Sequence, residues 1–179
     1  MDERILVAYA TKYGATAEIA QKIGEQLSQS GLTAEVHPVG QVSSLTPYWA
    51  VILGSAVYVG QWRKEAAAFL RDHEPELAVR PVWLFSTGPT GVGDPVQLMK
   101  GWRFPESLQP VADRIRPRGT AFFHGALDLQ RLSVPDKLIV KGVKAPIGDF
   151  RDWKAIAEWT AEVAKELATR RSAAAPAVA

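Results

Sequence analysis

Five short apolar runs, separated by stretches with helical spacing, constrain this chain of 179 residues more than any other feature. Ile5-Leu6-Val7-Ala8-Tyr9 is continuous, the pattern of a parallel strand covered on both faces. Ala50-Val51-Ile52-Leu53 reads as another buried strand, stopped by Gly54-Ser55. Val82-Trp83-Leu84-Phe85-Ser86 follows the breaker Arg80-Pro81, and Thr120-Ala121-Phe122-Phe123 ends at His124-Gly125. Thr33 to Pro38 alternates more weakly, as a strand nearer an edge does.

Helical patterns fill the gaps. Between Ala15 and Ser30, Ile19, Ile23 and Leu27 recur every four residues as one apolar stripe, and Gly31 is placed to end the helix. A second helix is expected from Trp62 to His73, with Ala66, Phe69 and Leu70 inward, and a third from Glu106 to Ile115. The last is expected from Asp152 to Ala168. Its core side is Trp153, Ile156, Ala157, Thr160, Val163, Ala164 and Leu167, and Asp149 or Asp152 can cap it. Strand–helix alternation gives a parallel sheet with helices on both faces. The expected fold is therefore α/β, a three-layer sandwich of five parallel strands in the order 2-1-3-4-5. One domain is expected over residues 1–171, with a disordered Ala-rich tail over 172–179.

The absence of cysteine excludes a disulfide framework, thiolate metal sites, iron–sulfur clusters and a cysteine nucleophile. Redox chemistry, if present, must come from a bound cofactor. Met1-Asp2-Glu3-Arg4 runs straight into a strand and does not read as a signal peptide, and no apolar stretch is long enough to span a bilayer. A cytoplasmic protein without a nucleic-acid partner is the expectation. The net charge of +2 is unevenly placed: residues 100–151 hold ten Lys or Arg against five Asp or Glu, whereas residues 1–99 hold seven against ten. The later segment can face an anionic ligand, an acidic partner or a lipid headgroup, or simply be a solvated basic surface.

Ligands of open parallel sheets bind at the carboxyl ends of the strands. After the first strand, Thr11-Lys12-Tyr13-Gly14-Ala15-Thr16 leads directly into a helix. Two hydroxyls and a run of backbone N–H groups there suit a phosphate, although a turn capped by Thr16 has the same pattern. After the third strand, Gly54 to Trp62 offers small residues and then Tyr58 and Trp62, which can wall a planar ring or pack under the next helix. After the fourth, Ser86-Thr87-Gly88-Pro89-Thr90-Gly91-Val92-Gly93-Asp94-Pro95 offers backbone groups to a heterocycle edge, or is only flexible connection. His37, His73 and His124 lack metal-ligand spacing, there is no hydrolase elbow motif, and Trp102 is the tryptophan best placed to touch a ligand.

On Ile5 to Thr16, Gly54 to Trp62, Gly125-Ala126-Leu127 through Lys137-Leu138-Ile139-Val140-Lys141, and Gly148 to Trp153, the chain resembles the flavodoxin superfamily. It is similar in particular to the group that includes the menaquinone-dependent protoporphyrinogen IX dehydrogenases. The resemblance implies a flavodoxin-like fold and a flavin mononucleotide (FMN) whose phosphate is held by Thr11, Lys12, Tyr13, Gly14, Ala15 and Thr16. It also implies an isoalloxazine ring flanked by Ser55, Ala56, Val57 and Tyr58 and by Thr87, Gly88, Pro89, Thr90 and Gly91. Tyr13 stands where flavodoxins usually carry a small hydroxyl residue. The fourth-strand loop carries Gly and Pro where many place a stacking aromatic, which leaves one ring face open. A deazaflavin coenzyme fits the same loops.

The resemblance implies a flavin-dependent oxidoreductase acting on a small-molecule redox substrate, a quinone or porphyrinogen among the candidates. The alternatives are an electron-transfer protein serving a redox partner and a cofactor-free interaction module. A sequence pI near 8.9 argues against the electron shuttle, which is usually strongly acidic. No general acid or base is identified. Over 133–147, Leu138, Ile139, Val140 and Val143 alternate with Lys137, Lys141 and Lys144. That pattern suits either peripheral membrane contact or a helix covering the sheet end.

Overall fold

All five expected strands form, and they set the frame of the molecule. The computed structural model describes residues 4–174. In chain order the elements are β1 (Arg4–Ala10), α1 (Ala15–Gln29), β2 (Thr33–Pro38), β3 (Tyr48–Tyr58), β4 (Gln61–Trp62), α2 (Lys64–Asp72) and α3 (Glu74–Leu77). There follow β5 (Val82–Thr87), α4 (Pro95–Leu98), α5 (Gln109–Ile115), β6 (Gly119–Phe123), β7 (Ala126–Leu127), α6 (Val134–Gly142), β8 (Gly148–Asp149) and α7 (Trp153–Ala174). The long strands are parallel in the order β2-β1-β3-β5-β6, which is the expected 2-1-3-4-5 counted over those five. The short β4 folds back antiparallel on the end of β3, and β7 and β8 form a separate two-stranded ribbon.

Alternation along the strands divides the core into two layers. Ile5, Val7, Ile52 and Phe85 face α1 and α7, where Ile19, Ile23, Leu27, Ile156, Val163 and Leu167 are buried. Leu6, Ala8, Leu53 and Leu84 face α2, α3 and α5, packing against Phe69, Leu70, Leu77, Val111 and Ile115. The expected helix over Glu106 to Ile115 is a 3-10 turn at Glu106–Leu108 running into α5.

Several boundaries differ from the expectation for identifiable reasons. β3 does not stop at Gly54 but continues to Tyr58. Gly54 pairs with Phe85 of β5, and a Cβ there would stand 1.9 Å from the Phe85 ring. The glycine makes room for that ring and does not break the strand. α2 begins at Lys64 because Trp62 belongs to β4; its indole Nε1 donates to Ser86 Oγ at 2.8 Å, and its ring meets Phe104 edge-on. In α7 the cap is Asp152, whose carboxylate accepts from the Ala155 N–H at 3.0 Å, whereas Asp149 pairs with Arg151. Trp153 is exposed beneath the Arg151 guanidinium rather than in the core. α7 runs on to Ala174, so the start of the expected tail is helical; residues 175–179 lie outside the described residues. Among the described residues no helix is long and apolar enough to cross a membrane.

Candidate functional site

The loops after β1, β3 and β5 come together at one end of the sheet, because their strands are hydrogen-bonded neighbours running the same way. The first loop is built for close approach of an anion. Gly14 adopts φ +96, a left-handed conformation that glycine takes without strain, and so turns the chain into α1. Among the described residues no side chain caps that helix start: the Thr11 hydroxyl accepts instead from the Gly14 N–H at 3.0 Å. The first-turn N–H groups and the positive end of the helix dipole therefore remain for a ligand.

Thr16 is fully buried, and its hydroxyl lies 2.6 Å from the Thr87 hydroxyl at the end of β5. Lys12 and Tyr13 turn outward instead. The Lys12 ammonium and the Tyr13 hydroxyl both bond the Asp136 carboxylate of α6, and the Ser133 N–H donates to the Tyr13 hydroxyl at 3.1 Å. The hydrogen bond from Lys12, then that from Tyr13, holds the Asp136 carboxyl below the usual range, and the same contact raises Lys12. The phenol that takes the place of a small hydroxyl residue thus ties the first loop to α6.

The end of β3 forms a hairpin with β4. Ser55 is buried and accepts from the Arg63 N–H at 2.9 Å, fixing the hairpin base, and Ala56 is buried beside it. Val57 is half-buried, and Tyr58 reaches the rim with the Lys12 ammonium 5.4 Å and the Arg63 guanidinium 6.0 Å from its ring centre. Burial, helped by the neighbouring Tyr13, pushes the Tyr58 phenol up to about 12. Arg63 Nε is buried without an acceptor among the described residues. Trp102 donates from Nε1 to the Gly60 carbonyl at 3.1 Å and rests edge-on against Phe122, so it braces the hairpin tip.

The third loop is held from beneath. Thr87 is buried, the Gly88 N–H donates to the Phe123 carbonyl at 3.1 Å, and the Gly125 N–H donates to the Pro89 carbonyl at 3.0 Å. Pro89 and Gly91 are buried and Thr90 is half-buried. His124 stands under the loop with Nε2 2.7 Å from the Gly93 carbonyl and Nδ1 3.3 Å from that of Pro89. Its place as a loop support was not legible from its strand-end position.

Sequence reasoning also missed two arginines. Arg131 places Nη1 3.7 Å from where a Cβ on Gly14 would stand, held by long ionic contacts of 3.9 Å to Glu18 and 3.6 Å to Asp128. Arg151 bonds Glu18 and Asp149 at 2.6 Å each and reaches the Ala15 carbonyl at 3.4 Å. Nothing in their local sequence marks Arg131, while Arg151 lies in the Gly148–Trp153 stretch that carries part of the resemblance. With Lys12 and Arg63 they surround the first loop with cations, each paired to a carboxylate: Lys12 to Asp136, Arg63 to Glu65, and both arginines to Glu18. No group of three or more metal-ligating side chains occurs among the described residues.

A five-stranded parallel sheet in this order, with an uncapped glycine-turned loop after its first strand, defines the flavodoxin-like class. A family model for the flavodoxin domain matches residues 6–153, and the chain belongs to that family. Protoporphyrinogen IX dehydrogenase [quinone] of Escherichia coli (strain K12) is 23% identical over 184 aligned positions, spanning 90% of this chain and 94% of that protein. Among solved structures, a cysteine-to-serine mutant of flavodoxin from Pseudomonas aeruginosa superposes with a TM-score of 0.57 at 16% identity, covering 92% of this chain and 98% of that one. The flavodiiron core from Synechocystis gives 0.62 at 13% identity over 94% of this chain and 37% of that chain. These structural likenesses bear on the fold.

Proposed function

We propose that this protein is a cytoplasmic flavin-dependent oxidoreductase that holds FMN at the loops after β1, β3 and β5. The observation that carries the reading is the uncapped start of α1 with Gly14 left-handed, backed by Thr11 and the buried Thr16. The residues present fit a flavin phosphate: among the described residues the first-turn N–H groups lack side-chain acceptors, and Arg131 stands within reach of the loop. Residues 55–58 and 87–91 would flank the ring, with Tyr58 the aromatic at the rim. The bound flavin would supply the redox chemistry; the protein would orient it and shape its surroundings.

Two features favour an enzyme over an electron shuttle. The chain carries a net charge of +2 and a sequence pI near 8.9, and Lys12, Arg63, Arg131 and Arg151 offset the carboxylates around the site, whereas a shuttle that docks basic partners needs an acidic face. The third loop carries no aromatic from Thr87 to Gly93, which leaves a ring face accessible to an organic substrate. The relationship to protoporphyrinogen IX dehydrogenase supports a porphyrinogen as donor and a quinone as acceptor.

Titration of the purified protein with FMN, riboflavin and a deazaflavin coenzyme, for wild type and Thr16→Ala, tests the reading. Tight FMN binding weakened by the substitution is the expected result. Preference for the deazaflavin would replace the cofactor. Binding of neither FMN nor the deazaflavin at micromolar concentration would overturn the redox reading in favour of an interaction module.

A further inference from the structure

The apolar side chains that this fold leaves in solvent are not scattered. Among the described residues the large ones gather where the parallel strands end, with Val79 standing apart at the opposite end. Many belong to α6 and the segment after it: Val134, Leu138 and Val143 are 72%, 67% and 69% exposed, and Ile139 and Ile147 more than half. An ordinary surface helix hides its apolar stripe, and α6 buries none of its residues. Asp136 and Val140, one turn apart, are its partly covered residues among otherwise exposed neighbours from Lys137 to Lys144. Helical spacing sets Leu138 on the opposite side from that pair, with Val134 one turn before it.

Charge completes the pattern. Lys137 and Lys141 lie one turn apart on the flank of the apolar face, and Lys144 follows. Asp136 is the one acid between Val134 and Ile147, and it is turned back onto Lys12 and Tyr13. The outward surface thus carries three lysines and no carboxylate. The apolar strip continues past the helix, because Pro146 and Leu98 both stand 3.6 Å from the Cβ position of Gly91, next to the 90%-exposed Val92.

We propose that α6 and the segment to Ile147 dock the protein on an anionic lipid bilayer. The lysines meet headgroup phosphates while Val134, Leu138, Ile139 and Val143 enter the acyl boundary. Lysine stems lie along apolar surface and keep their ammonium groups in the headgroup layer. A second copy of the chain is a poor occupant, since it would set like-charged lysines against each other. The Lys12–Asp136 and Tyr13–Ser133 contacts hold α6 against the first loop, so a bilayer under α6 lies beside the flavin site. An apolar acceptor of the quinone class dissolved in that bilayer is then adjacent. For this purpose the inference rests on the proposed function; for the docking itself it does not.

Sedimentation of the full chain with phosphatidylcholine vesicles, with and without phosphatidylglycerol, tests the docking. Wild type is expected to sediment with the anionic vesicles and to be released by salt. Leu138→Ser/Ile139→Ser should lower partitioning about tenfold. Lys137→Glu/Lys141→Glu should abolish it, and Lys137→Arg/Lys141→Arg should keep it. Circular dichroism checks that the variants keep the fold. Three results would overturn the proposal: no binding to anionic vesicles, binding indifferent to both disruptive variants, or a solution dimer that Leu138→Ser/Ile139→Ser dissolves while vesicles are ignored. FMN titration of the same samples separates the two readings. Vesicle binding without FMN binding removes the flavin reading alone, and FMN binding without vesicle binding removes the docking alone.

Discussion

The Thr16 hydroxyl lies 2.6 Å from the Thr87 hydroxyl, a buried hydrogen bond between residues 71 apart in sequence. It locks the start of α1 to the end of β5, so the loop read as the phosphate site and the loop read as the ring edge move as one piece. Both hydroxyls are shielded from water, so each depends on the other for a partner.

Thr16→Val strands the Thr87 hydroxyl in the core, and a loss of about 1–3 kcal/mol in unfolding free energy is expected. Thr16→Val/Thr87→Val should regain much of that stability, because both polar groups are then replaced by apolar ones of the same shape. FMN affinity should fall in the single variant and stay low in the double. Urea unfolding and flavin titration on the three proteins read the two quantities separately. Full recovery of affinity in the double variant would take Thr16 out of the phosphate site.

Among the described residues the ionic contacts of the Arg131 guanidinium are long, 3.9 Å to Glu18 and 3.6 Å to Asp128, which leaves its donors available to an anion at the first loop. Arg131→Gln should weaken FMN binding on the order of tenfold, as for loss of one charge-assisted hydrogen bond, and leave riboflavin binding unchanged. The salt dependence of FMN affinity should flatten in the variant. Equal losses for FMN and riboflavin would mean that the arginine supports the loop without touching phosphate.

Gly54→Ala drives a methyl group into the Phe85 ring, 1.9 Å away before any relaxation. Overpacking of this kind costs about 1–3 kcal/mol. Adding Phe85→Leu opens the space, so thermal unfolding should show the double variant less destabilised than the sum of the two single changes. Strict additivity would mean that the two positions do not share this contact.

The Tyr58 phenol, raised from 10.0 to about 12, makes a signed contribution to stability. The native state holds the proton more tightly than the unfolded chain. The contribution is therefore complete below pH 10, and it is lost as pH climbs from about 10 through about 12. Tyr48 is raised to about 12 as well, chiefly by burial, so the comparison must be with Tyr58→Phe. Difference absorbance of the tyrosinate band should place the missing titration near pH 12, and wild type should lose its stability advantage over the variant in that window. A missing titration near pH 10 would show that the phenol is open to water in the native state.

Much of the architecture was written in local patterns. Ile5 to Tyr9 and Val82 to Ser86 are apolar without interruption because both faces of their strands are covered, and continuous burial leaves a continuous signal. Ile19, Ile23 and Leu27 repeat every four residues because one side of α1 meets the sheet. The loop from Thr11 to Thr16 was legible too, since a glycine turn between strand and helix is made by neighbours in sequence.

What depended on distant partners was not legible. Gly54 reads as a stop in its own neighbourhood, and only Phe85 across the sheet explains why the strand continues. Trp62 looked like the first turn of a helix until Ser86 and Phe104 drew it into the sheet and core. Tyr13 stood out only as a phenol in the place of a small hydroxyl residue, and its bonds to Ser133 and Asp136, far along the chain, gave no local signal. Apolar patterning alone could not say whether α6 covers the sheet or faces solvent, because both fates require the same alternation of apolar residues and lysines. Periodicity records how a segment divides its own two faces. Which face meets what is decided by chain closure in three dimensions, and at this site closure placed the lysines and the leucine of α6 outward.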